Sequence, residues 1–250
     1  MKGKPSGIRG VIRGMERSAL MSLLCIVFAI AYPTSALLGH GAMVLVFRLA
    51  AALSFAAAGI IAHITGAKNG AYGKTVIAGL AAGALGGVCS DLNSDTKMIV
   101  CMCFLSLGNI LYIFAFWRVN KIMPLWLLIG ALLGGGAAFY LWLTCGACRG
   151  KWLLPTAAYC LLEALAVGGA VCVAVCKKQV RLSAVVCAAG TVLSAFGGET
   201  LAYALFAGSP NITALNYAFA LLYYPGQLCV GLSLLDEPSG SRKEGEANGR

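Results

Sequence analysis

Acidic side chains are scarce in this chain. Nine Asp and Glu stand against nineteen Lys and Arg, and only 11% of the 250 residues are charged. A soluble domain has about a quarter of its residues charged, so a water-soluble globule is excluded. Histidine is nearly absent, with His40 and His63 the only two. A zinc site at the C-x-x-C of Cys145 and Cys148 therefore lacks its further ligands. No Walker-type lysine accompanies the thirty-two glycines, and none of them follows a strand, so they form no phosphate cradle. No nucleic-acid motif and no convincing internal repeat is present.

What fills the chain instead is apolar. Hydrophobic residues make up 60% of it and fall into eight stretches. These run over Ser18–Leu37, Val44–Thr65, Lys74–Ser90, Met98–Trp117, Met123–Leu143, Trp152–Cys176, Leu182–Ala207 and Thr213–Leu235. A bilayer core needs roughly 20 apolar residues per helix. The runs are continuous and do not alternate, which predicts helices and not a barrel. The expected fold is an all-α polytopic membrane protein of eight transmembrane helices. Residues 1–17 form a basic tail, 18–235 the membrane domain, and 236–250 a disordered polar end.

Lys and Arg set the expected orientation. With the N-terminus inside, fifteen fall on the inner side and three (Lys97, Arg149, Lys151) on the outer, leaving Arg48 inside the second stretch. That asymmetry predicts both termini in the cytoplasm. It makes the net charge of +10 mainly a topology signal, with attraction to anionic headgroups alongside. The expected location is a bacterial cell membrane. The first stretch also has the basic and apolar regions of a signal peptide, with small residues at Thr34-Ser35-Ala36. Its apolar run exceeds the usual length, which favours an uncleaved helix.

Several features have bland readings. Cys145 and Cys148 are read as small packing residues, with a redox or disulfide role the alternative. Asn211-Ile212-Thr213 is a glycosylation sequon that matters only in a host that glycosylates. Gly79, Gly83 and Gly87, like Gly130 and Gly134, repeat every four residues, a spacing that lets membrane helices approach closely.

Polar residues inside the stretches are costly there and usually face a cavity or a partner. They are Arg48, Asp91, Asn109, Tyr112, Glu163, Glu199, Tyr223, Tyr224 and Gln227. Arg48 and Asp91 sit towards the outer face, and Glu199 lies roughly 12 Å below it at 1.5 Å per residue. Asn109 and Glu163 lie near mid-membrane. Asn109 and Tyr112 share a helix face, as do Tyr223 and Gln227. The expectation is one interior cavity faced by Asp91, Asn109, Tyr112, Glu199 and Gln227. Each also has a structural reading: Asp91 as a solvated loop start, Arg48 snorkelling, Asn109 as an interhelical bond, the tyrosines as packing. Glu163 is too deep to snorkel, and is paired, protonated or functional.

The segments Gly86-Gly87-Val88-Cys89-Ser90-Asp91-Leu92 and Phe104-Leu105-Ser106-Leu107-Gly108-Asn109-Ile110-Leu111-Tyr112, with Gly190–Ala202 and Tyr223-Tyr224-Pro225-Gly226-Gln227-Leu228, resemble the YhhN family of membrane proteins, which includes the lysoplasmalogenases. The resemblance spans roughly residues 44–235. It departs from the family pattern at three places. Asn109 stands where the family has His, Arg48 where it has Lys, and the second family Asp falls on Thr200 unless the register shifts to Glu199.

The resemblance implies hydrolysis of the vinyl ether of a lysoplasmalogen to a fatty aldehyde and a glycerophospho-base, without a cofactor. One carboxyl must carry a proton at neutral pH, and another must stay ionised to stabilise the oxocarbenium ion. Glu199 is cast as donor and Asp91 as its ionised partner, with Arg48 holding that charge or the substrate phosphate. Asn109, Tyr112, Tyr223, Tyr224 and Gln227 would line the substrate site. The implied partners are a lysophospholipid and membrane lipids. The competing reading is a non-catalytic relative, a small-solute or lipid carrier or a structural membrane protein.

Overall fold

The computed structural model describes residues 8–66, 70–89, 95–119, 124–144, 152–175, 182–206 and 212–236. Within them run eight α-helices: α1 Ile8–Leu37, α2 Gly41–Thr65, α3 Ala71–Cys89, α4 Asp95–Val119, α5 Pro124–Thr144, α6 Leu153–Val175, α7 Leu182–Phe206 and α8 Ile212–Leu232. A short 3-10 turn, Ser233–Asp236, extends α8. All eight helices are long and apolar enough to cross a membrane. The protein is an integral, multi-pass membrane protein. Each apolar stretch became one helix, with boundaries moved by a few residues at most ends. The largest shift is at α1, which starts at Ile8, although its apolar span begins only at Glu16. A helix that leaves the bilayer continues as long as its backbone bonds propagate, and hydropathy does not mark that end.

Consecutive helices pair as antiparallel hairpins, α1 with α2, α3 with α4, α5 with α6 and α7 with α8. α8 touches α1, α2, α3 and α7, while the α5–α6 hairpin joins the bundle through the contacts of α6 with α4 and α7. The apolar span of α8 is 61% buried and that of α5 only 17%, so α8 is the axis and α5 the rim. Large apolar side chains such as Leu132, Leu133 and Phe139 of α5 face outward. Such a surface is stable only where the solvent is lipid.

Lipid supplies no hydrophobic drive for helix association, so close packing must do it. The four-residue glycine repeats carry that packing. Gly108 of α4 packs on the backbone of α3 at Gly79 and Gly83. Gly134 of α5 lies so close to α6 that a Cβ there would be 2.8 Å from the Cys160 carbonyl oxygen. Gly190 and Gly226 join α7 to α8 in the same way.

α1 runs antiparallel to α8, with Cys25 beside the Tyr224 carbonyl and the Tyr217 hydroxyl donating to Thr34 Oγ1 at 2.9 Å. Gly66, just past α2, meets the carbonyl oxygens of Leu234 and Leu235. The start of α1, the end of α2 and the end of α8 therefore share one face of the bundle.

Candidate functional site

Four helices bring polar groups together at the middle of the bundle. α4 supplies Asn109 and Tyr112, α6 supplies Glu163, α7 supplies Ser194, and α8 supplies Gln227. Glu163 is ten residues into α6, roughly 15 Å along the helix axis. The Tyr112 hydroxyl donates to Gln227 Oε1 at 2.5 Å, and Gln227 Nε2 donates to Ser194 Oγ at 2.6 Å. One chain of hydrogen bonds thus ties α4, α8 and α7 in the low-dielectric interior, where such bonds are stronger than in water. Gly79 makes room for it, because a Cβ there would overlap the Tyr112 ring.

On the other wall, Tyr159 and Glu163 of α6 are one turn apart. The Tyr159 hydroxyl donates to Glu163 Oε1 at 2.6 Å. Glu163 is 6% exposed, and its Oε2 is buried with no hydrogen-bond partner among the described residues. α7 approaches this pair through Gly198, where any Cβ would collide with the Tyr159 hydroxyl and with Glu163 Oε1. A glycine at 198 is therefore a condition of the Tyr159–Glu163 geometry.

Between the two walls lie two adjoining polar pockets that share Asn109, Tyr112, Glu163, Ser194 and Gln227. Each gives a water-sized sphere about 10 Å³ in which to place its centre, close to one water molecule. Among the described residues, no Lys, Arg or His lines either of them. A third pocket, about 20 Å³ by the same measure, is lined mainly by apolar groups, with Thr156 and Tyr159 among its walls, and lies between α4, α6 and α7. Leu105 and Tyr159 line both it and one of the polar pockets, so they form the partition between a polar and an apolar compartment.

Arg48 stands apart from these pockets. It is buried, 7% exposed, and its guanidinium lies 4.6 Å from the centre of the Tyr32 ring. A cation over an aromatic face is partly compensated for lost water. Its Nε and Nη1 have no hydrogen-bond partner among the described residues, and neither does the buried hydroxyl of Tyr224, whose ring stands edge-on to Tyr32.

The residues singled out in the sequence thus divide. Asn109, Tyr112, Tyr223 and Gln227 line the polar pockets, and the Tyr223 hydroxyl donates to the Gly83 carbonyl at 2.8 Å. Tyr224 belongs with Arg48. Glu199 is partly buried on α7 and meets the Cys160 thiol. It lies within electrostatic reach of Glu163, yet lines none of the three pockets. Asp91, Cys145, Cys148 and Asn211 lie outside the described residues. Ser194, Thr191 and Tyr159 line the cavity without having been singled out. The available signal was the four-residue spacing of Tyr159 and Glu163, which puts an acid and a donor on one helix face. Among the described residues, no group of three His, Cys, Asp or Glu is arranged to hold a metal ion.

The model of the YhhN family matches residues 42–234. The chain belongs to the YhhN family. The match covers α2 to α8 and leaves α1 outside, so every pocket residue falls within the YhhN segment. Comparison with curated proteins and with solved structures finds no match.

Proposed function

We propose that this YhhN protein is a membrane-embedded hydrolase that cleaves the vinyl ether of lysoplasmalogens, releasing a fatty aldehyde and a glycerophospho-base. One observation carries the reading: a buried carboxyl with a free oxygen, in a polar cavity the size of a water, across a Tyr159–Leu105 partition from an apolar pocket. Vinyl-ether hydrolysis needs those parts. An acid protonates a carbon at the end of a greasy chain, and one water adds to the cation that results. Family membership supports the same reading.

In this reading the vinyl end of the alkenyl chain reaches the small apolar pocket between α4, α6 and α7. An acid of α6 or α7 gives the proton, and Asp91 is the ionised group that stabilises the oxocarbenium ion. Arg48, a buried cation with unused donors, takes the substrate phosphate or steadies Asp91. The face holding the start of α1 and the end of α8 is cytoplasmic, following the lysine and arginine count. A C-terminal reporter that responds as extracellular overturns that orientation.

The function is tested by aldehyde release from choline and ethanolamine lysoplasmalogens with the purified protein. Release above background is expected. Asp91→Asn should lower it by two to three decades, about 3–4 kcal/mol of transition-state stabilisation, while the protein stays folded in detergent. A wild-type protein that is inactive on both substrates returns the chain to the non-catalytic reading. Full activity in Asp91→Asn keeps the enzyme and discards Asp91.

A further inference from the structure

Two acids on neighbouring helices compete for the part of proton donor, and their surroundings differ. Glu199 meets the Cys160 thiol and, among the described residues, lines none of the three pockets. Glu163 is fully inside, lines both polar pockets, and has one oxygen held and one oxygen spare. Among the described residues no basic side chain lines the cavity, so none of them compensates an ionised carboxylate there. A charge left unpaired at that depth costs several kcal/mol, and a carboxyl that keeps its proton avoids the cost. Tyr159 fixes Oε1, which leaves Oε2 as the atom free to face whatever enters. Tyr159 is also a wall of the apolar pocket, so the carboxyl is anchored at the partition where an alkenyl chain would end.

We propose that Glu163 is the acid that protonates the vinyl ether, and that Tyr159 is the positioning residue that aims it. The inference rests on the hydrolase reading and names its donor. The O–H bond of the Glu163 carboxyl breaks as the C=C electron pair forms a new C–H bond at the carbon beta to the ether oxygen. A lone pair on that oxygen stabilises the adjacent carbon as an oxocarbenium ion. Water adds to that carbon, its spare proton returns to the Glu163 carboxylate, and a hemiacetal results. The hemiacetal gives its hydroxyl proton to the glycerol oxygen as the old ether C–O bond breaks, leaving aldehyde and alcohol. Water is the only co-reactant consumed.

The groups facing Glu163 from its surroundings are Tyr159 on its own helix, Tyr112 of α4, Glu199 of α7 and Tyr223 of α8. A pH profile must be read against all four.

The test is steady-state aldehyde release by purified wild type, Glu163→Gln, Glu163→Asp, Glu199→Gln and Tyr159→Phe. Glu163→Gln is expected to lose about a hundredfold or more in kcat with KM unchanged, because an amide still fills the site and has no proton to give. Glu163→Asp should recover part of that loss, and Glu199→Gln should lose at least about tenfold less than Glu163→Gln. Tyr159→Phe should lower kcat and move the pH dependence of kcat, which a merely structural role would not do. Infrared spectra should show a carboxylic-acid carbonyl band in wild type that Glu163→Gln lacks. An active wild type with Glu163→Gln within threefold of it overturns the inference and leaves the hydrolase standing. No aldehyde from wild type overturns both. If Glu163→Gln does not fold, Glu163→Asp and Tyr159→Phe decide: unchanged kcat and pH profile in both overturns the assignment.

Discussion

Arg48 and Glu163 are buried in one bundle, carry opposite formal signs, and do not meet. Each keeps unused hydrogen-bonding atoms, Nε and Nη1 on Arg48 and Oε2 on Glu163, with no partner among the described residues. A fold under selection for stability alone would pair them or replace both with apolar groups, since a pair with one partner missing is strongly unfavourable. Their immediate settings differ in kind. Arg48 lies against aromatic rings, Tyr32 beneath it and Tyr224 beside it, and lines none of the three pockets described above. Glu163 lies in a hydrogen-bonded polar shell around a cavity. One setting suits a permanent cation waiting for an anion, the other an acid waiting for a water-sized reactant. On the proposed reading, the difference means that the bundle separates a binding region around Arg48 from a chemical one around Glu163.

Kinetics should show the separation most strongly. Arg48→Ala is expected to raise KM for the lysophospholipid by one to two decades with kcat nearly kept, since a hydrogen bond to a charged group is worth about 1.5–3 kcal/mol. Glu163 variants should do the opposite, lowering kcat and sparing KM. Steady-state aldehyde release on one substrate measures both. If Arg48→Ala lowers kcat alone, the two regions are one site and the comparison fails.

A smaller effect tests the acid's mounting. Gly198→Ala places a methyl group against the Tyr159 hydroxyl and Glu163 Oε1. Overpacking of this kind costs about 1–3 kcal/mol, so the thermal midpoint in detergent should fall and kcat with it. Gly135→Ala is the control, because its Cβ meets nothing within 4 Å and no loss is expected. Equal midpoints for the two variants would show that Tyr159 and Glu163 swing aside at no cost, which removes the argument that their geometry is held.

All eight spans were legible from hydropathy, because a bilayer demands the same run of apolar residues each time. The glycine repeats were legible for a similar reason, since close approach has one cheap solution. The site was legible only in part. Asn109, Tyr112 and Gln227 are conspicuous because lipid penalises them. Ser194 and Thr191 are not, since a small hydroxyl in a membrane helix usually bonds its own backbone, as Thr191 does with the Cys187 and Ala188 carbonyls. Glu163 stood out by depth, but its link to Tyr112 and Gln227 depends on how α6 is rotated against α4 and α7. No spacing within α6 reports that rotation. The sequence reading cast Glu199 as the donor and left Glu163 without a role, whereas Glu163 lines the polar pockets and Glu199 meets Cys160.

The smallest effect comes from two tyrosine hydroxyls, one in each region. Tyr112 donates to Gln227 Oε1, and Gln227 in turn donates to Ser194. Tyr112→Phe strands a buried amide oxygen at mid-membrane and should cost about 1 kcal/mol, lowering the thermal midpoint. Tyr224 has no partner for its hydroxyl among the described residues, although its ring is fully buried beside Tyr32 and Phe55. Tyr224→Phe deletes an unsatisfied polar atom and keeps the packing, so the ligand-free midpoint should stay level or rise slightly. Added lysophospholipid should then distinguish the regions further. It should raise the midpoint of Tyr112→Phe as much as that of wild type, because the Arg48 side is intact. It should raise that of Tyr224→Phe less, because a hydroxyl beside the cation is one of the donors a phosphate would use. If Tyr224→Phe is the more destabilised variant without ligand, its hydroxyl already has a structural partner. The Arg48 region is then a packed core and not a waiting site.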